Sequence, residues 1–94
     1  MKISKQFKKD LKRYQNKPKQ IAQLKEVLSK LKENGVVPKE YKPHMLIGEY
    51  RGFMECHIES DTLLIWLDET ENQIRLVRLG SPFGTFQIAR THLF

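Results

Sequence analysis

The amino-acid sequence predicts an α+β domain in which two N-terminal antiparallel helices pack on one face of a small antiparallel β-sheet. Two observations carry this expectation. Apolar residues recur at helical spacing as far as Gly35, and from residue 49 the pattern changes to alternation and short apolar runs separated by polar turns. Helices first and a strand meander afterwards is the order of an α+β fold, and it leaves one sheet face as a working surface.

Ser4 is placed to cap a first helix over residues 4–15, whose apolar stripe is Phe7, Leu11 and Tyr14. Pro18 suits the first position of a second helix. Its stripe is Ile21, Leu24, Leu28 and Leu31, broadened by Val27, and Gly35 is the expected stop. Residues 36–48, with Pro38 and Pro43, read as a loop. A strand over residues 49–58 puts Met54, Cys56 and Ile58 on one face and Arg51, Phe53, Glu55 and His57 on the other. Residues 59–61 form a turn. The run TLLIWL, residues 62–67, has the pattern of a strand buried on both faces. Residues 68–72 form a hairpin turn, residues 73–79 a third strand, and Gly80-Ser81-Pro82 breaks it. The 94 residues then make one domain: a basic helical hairpin over 1–35, a meander over 49–79 and a C-terminal extension over 80–94.

Charge is distributed unevenly. Residues 1–42 hold 13 Lys and Arg against 4 Asp and Glu, a net of +9, whereas residues 43–94 hold 4 against 7, a net of −3. A half this basic attracts polyanions, although a solvated helical surface would read the same way. Cys56 is the single cysteine and cannot form an internal disulfide. No apolar run approaches the roughly 20 residues that span a bilayer, and no signal-peptide core is visible. A cytoplasmic protein without a membrane role is the expectation.

The chemistry is narrowed by what is missing. There is no Gly-rich phosphate loop, no CxxC pair and no HExxH. His44, His57 and His92 with Asp61 lack a metal-ligand spacing, so neither a metal nor a cofactor is expected. In a meander the first and third strands flank the second, so His57, Asp61 and Arg78 could converge on one face. Spacing alone equally allows a solvated His and Arg and an Asp that only shapes its turn.

Specific wording goes further. Pro43-His44, the stretch YRGFMECHI over residues 50–58, Asp61, Leu63-Leu64-Ile65 and Arg78-Leu79-Gly80-Ser81 together resemble the YafQ branch of the RelE-type toxins. That resemblance spans residues 1 to about 86 and is most specific over 43–86. It implies a toxin of a type II toxin–antitoxin pair, an endoribonuclease that cuts mRNA in the ribosomal A site. It implies as partners the ribosome, mRNA and a DinJ-like antitoxin with an acidic segment, in a heterotetramer of two toxins bridged by an antitoxin dimer. The implied catalytic residues are His44, His57, Asp61 and Arg78. Phe86, Phe53 and Arg51 would bind substrate, and Glu55 would support His57.

One departure matters. Pro82 stands where the branch has a histidine after RLGS, and proline can neither transfer a proton nor donate a hydrogen bond. Two readings of the tail stay open: His92 folds back to supply the missing imidazole, or the tail only packs on the sheet. A decayed toxin that binds RNA or ribosome and an antitoxin without cleaving is the alternative function.

Overall fold

The computed structural model describes residues 1–48, 51–70 and 73–81. Pro82, Phe86 and His92 lie outside the described residues, as does nearly all of the C-terminal extension. The expected α+β architecture is present: two helices and a five-stranded sheet.

Helix α1 spans Lys5–Lys12 and starts where a cap was expected: the Phe7 N–H donates to Ser4 Oγ at 2.9 Å. It ends three residues earlier than the apolar stripe suggests. The amides of Arg13, Tyr14 and Gln15 turn to carbonyls three residues back, a tightening that still buries Tyr14. Helix α2 spans Pro18–Asn34 and stops at Gly35, whose φ of 73° places it in the left-handed region. A Cβ there would meet nothing within 4 Å, so backbone conformation alone selects glycine.

Strands β1 (Lys2–Ile3), β2 (His44–Met45), β3 (Phe53–Glu59), β4 (Thr62–Thr70) and β5 (Gln73–Gly80) form one sheet in the order β1-β5-β4-β3-β2. The β3-β4-β5 meander is the expected one, and β1 joins β5 in parallel. Strand β3 begins at Phe53 and not at residue 49: Arg51 and Gly52 lie in a turn, with Gly52 at φ 98°. The expected loop over 36–48 contains β2 and a 3-10 turn, Lys39–Tyr41.

Apolar alternation decides the layers. Met54, Cys56 and Ile58 of β3, Leu64 and Trp66 of β4, and Leu76 and Leu79 of β5 meet the helix stripes in the main core. Helix α1 contacts β5 and α2 contacts β3, so the two helices cover the same face of the sheet on either side of β4. Leu63 and Ile65 point the other way and join Leu46, Phe53 and Val77 in a second, smaller cluster. Strand β4 is therefore buried on both faces, as its uninterrupted apolar run requires.

Two irregularities shape the side facing away from the helices. In β5 the register shifts between Ile65 and Trp66, which pair with Arg78 and Leu76, so Val77 is an extra residue. Continuing the Trp66–Leu76 register would have set Arg78 opposite Leu64, on the helix side. The bulge sets it opposite Ile65, on the open side. The second irregularity is Lys42, the sole non-glycine with positive φ among the described residues, at φ 52° and ψ 54°. That conformation costs an L-residue on the order of 1–2 kcal/mol.

Candidate active site

Strand register gathers several of the expected residues on the open face. His44 pairs with Glu55, Glu55 with Ile65, and Ile65 with Arg78, one row across four strands. The next row runs from His57 through Leu63 to Gly80. Glu55 and Arg78 are two strands apart, roughly 10 Å between backbones.

His44 is held at both ring nitrogens. Nδ1 lies 3.0 Å from the Lys42 carbonyl and Nε2 lies 3.1 Å from Glu55 Oε1. A carbonyl only accepts, so Nδ1–H donates to Lys42. The Nε2–Oε1 contact then shares one proton, either as imidazolium beside carboxylate or as imidazole beside carboxylic acid. Glu55 is fully buried and the His44 side chain is 39% exposed, so the pair presents its imidazole to solvent and keeps its carboxylate inside. The strained Lys42 backbone aims the carbonyl that holds this ring. The Glu55 carboxylate thus meets His44 across the β2–β3 pair.

His57 opens into a cleft of about 400 Å³ lined also by Tyr41, Lys42, Glu59 and Ser60. The Tyr41 hydroxyl donates to Gln23 Oε1 at 3.2 Å, and its pKa is raised by burial first and then by Glu40 and other acidic groups. Glu59 faces Lys19 at 3.7 Å. Asp61 sits exposed in the β3–β4 turn and accepts from the buried Thr62 hydroxyl at 3.0 Å. Cys56, next to Glu55 in sequence but on the helix side, has its thiol pushed from an ordinary 9.0 up to about 12, by burial and then by the Glu55 charge. A thiol of that pKa supplies no nucleophile near neutral pH.

Arg78 reaches over the β5 edge to helix α1. Its Nε donates to Asp10 Oδ2 at 2.9 Å, and its side chain is 28% exposed. Arg51 is exposed in its turn, and Phe53 packs on the second cluster. Asp10, the partner of Arg78, is a residue the sequence reading did not single out. A signal was available: it falls on the Phe7–Leu11–Tyr14 stripe, where an acid is out of place among apolar residues. Among the described residues no group of three His, Cys, Asp or Glu could hold a metal ion.

Residues 1–84 match the family described as bacterial toxins of type II toxin–antitoxin systems, YafQ. The chain belongs to the YafQ toxin family. It is 33% identical over 82 residues to the mRNA interferase toxin YafQ of Escherichia coli strain K12, covering 86% of this chain and 88% of that protein. Its fold is similar to the toxin in the E. coli DinJ–YafQ complex, with a TM-score of 0.79 and 32% identity over 90% of this chain and 94% of the other. A metal-bound toxin from Helicobacter pylori is also similar, with a TM-score of 0.73 and 37% identity over 85% of this chain and 90% of that one. Membership of the YafQ family accounts for the coincidence of the ECHI strand, the RLGS strand end and the two leading helices. No helix among the described residues is long and apolar enough to cross a membrane.

Proposed function

We propose that this chain is an mRNA interferase toxin that cleaves mRNA in the ribosomal A site by side-chain acid–base chemistry, without a metal or other cofactor. The observation that carries the reading is the shared open face, where His44 with Glu55, His57 and Arg78 occupy adjacent cross-strand rows. The name of the E. coli relative supports the substrate class.

Cleavage of RNA at its own 2′-hydroxyl needs a proton removed from that oxygen, a charge-rich phosphorane stabilised, and a proton delivered to the departing 5′-oxygen. Histidine suits both proton steps, its ordinary pKa being near neutrality. His57 with Asp61 takes the 2′ proton. The 2′-oxygen then bonds to phosphorus, and the bond to the 5′-oxygen breaks. His44, whose proton is shared with Glu55, stands beside the scissile phosphate and gives a proton to the departing 5′-oxygen, and Arg78 opposes the developing charge. Phe86, Phe53 and Arg51 hold the neighbouring nucleotides. The lysines of α1 and α2, nearly all exposed, meet ribosomal RNA.

The toxin acts in the cytoplasm and is silenced by a DinJ-like antitoxin whose acidic segment meets the basic half, two toxins sharing one antitoxin dimer. The E. coli DinJ–YafQ complex supports an antitoxin partner of this kind. The test is expression without antitoxin, followed by primer extension on a reporter mRNA. In-frame cuts that disappear in His57→Ala with Asp61→Ala are expected. Pro82 favours a second reading, a decayed toxin that binds without cutting. Growth inhibition that persists in that double variant, with mRNA intact, would select it.

A further inference from the structure

We infer that Asp10 is a positioning residue for Arg78: a buried carboxylate on α1 that fixes the guanidinium at the edge of the open face. The inference rests on the nuclease reading for its consequence in catalysis, and on geometry for the positioning itself.

Asp10 is fully buried, and its two oxygens accept four hydrogen bonds. Oδ2 accepts from Arg78 Nε at 2.9 Å and from the Leu79 N–H at 3.0 Å; Oδ1 accepts from Gln6 Nε2 at 3.0 Å and, at 3.5 Å, from Arg78 Nη2. These contacts arise from the way α1 takes over the sheet edge. Strand β1 ends at Ile3, so β5 beyond Leu76 has no strand beside it on that edge. Ser4 covers the next positions, its N–H donating to the Leu76 carbonyl and its hydroxyl to the Val77 carbonyl at 2.7 Å. Asp10, on the inner side of the same helix, receives the Leu79 amide.

A backbone N–H at an edge needs only an acceptor, and a hydroxyl or amide oxygen would serve. A buried negative charge is costly unless a cation meets it. Asp10 therefore makes physical sense as the partner of Arg78, with the Leu79 amide as a second anchor one residue along. The β5 bulge adds an independent line: it sets Arg78 opposite Ile65 and not Leu64, and Asp10 then fixes the side chain where it crosses the sheet edge. The carboxylate engages the guanidinium mainly through Nε, the atom nearest the stem, so the planar head is oriented while the side chain stays 28% exposed.

The test is a double-mutant cycle with a spectroscopic companion. Asp10→Asn keeps the shape and an oxygen acceptor for Leu79 but removes the charge. Cleavage of mRNA on programmed ribosomes is expected to fall roughly 10- to 100-fold in Asp10→Asn, with little further loss when Asp10→Asn is added to Arg78→Ala. A purely structural role would cost the same factor in both backgrounds and overturns the inference. In 15N spectra the assigned Arg78 Nε–H of the wild type is expected as a resolved, slowly exchanging resonance that merges with the averaged arginines in Asp10→Asn. An unchanged resonance also overturns it. If Asp10→Asn does not fold, Gln6→Ala loosens the carboxylate from its far side, and the same resonance is expected to exchange faster; no change counts against the inference. Should the wild type itself leave mRNA intact, the nuclease reading fails, and the Nε–H resonance still decides whether Asp10 holds Arg78.

Discussion

His44 and Glu55 face one another across the β2–β3 edge, Nε2 3.1 Å from Oε1, with the carboxylate wholly buried and the imidazole partly exposed. Because Nδ1–H is already committed to the Lys42 carbonyl, one proton serves the remaining contact. Glu55→Gln keeps the shape of the pair and cannot share that proton. Cleavage by this variant is expected to fall at least about tenfold, and by His44→Ala about 10²–10⁴-fold, the usual range for losing a general acid or base. Single-turnover cleavage rates for the two variants check this.

Asp10→Ala strands the buried Leu79 amide and removes the anion beside Arg78. Leaving a buried donor unsatisfied costs about 1–3 kcal/mol, and the partial exposure of Arg78 keeps the ion-pair contribution small. Urea unfolding is expected to show a loss within that range for Asp10→Ala and a smaller one for Asp10→Asn.

Such residues show where sequence reading ends. Ser4, Pro18 and Gly35 announce the helix ends because each satisfies a local backbone requirement, and TLLIWL announces a central strand because both its sides are apolar. Strands β1 and β2 have two residues each, too few for any periodicity to register. The pairing of His44 with Glu55 depends on β2 existing, and the placement of Arg78 depends on a bulge at Val77. Neither the pairing nor the bulge leaves a trace in composition or spacing. The family wording singled out His44, His57, Asp61 and Arg78 without showing what holds them, and what holds His44 and Arg78 is long-range: Glu55 through the β2–β3 pairing, Asp10 through α1.

Pro82 stands where the family resemblance implies a histidine. Restoring it with Pro82→His is expected to raise cleavage, by up to about 10²–10⁴-fold if that histidine transfers a proton. Single-turnover rates for wild type and variant decide the matter, and equal rates mean that the site does not use the position. His92→Ala, assayed alongside, is expected to lower cleavage only if the tail supplies the imidazole.

Cys56 is buried against the helices with its thiol raised to about 12. Ellman's reagent at pH 8 is expected to react far more slowly with the folded protein than with the unfolded chain. Folding favours the neutral thiol, so its stabilising contribution is complete below pH 9 and is lost as pH climbs from about 9 towards about 12. Cys56→Ala should flatten the fall of stability across that window, measured by urea unfolding at fixed pH steps.

The most direct measurement is purified protein added to ribosomes programmed with a defined mRNA, with the 5′ ends mapped after a short incubation. Cuts confined to the A-site codon, abolished together by His57→Ala and by Arg78→Ala, are the expected result. Intact mRNA with wild-type protein, or cuts that survive the loss of both side chains, would contradict a nuclease site on the open face of this sheet.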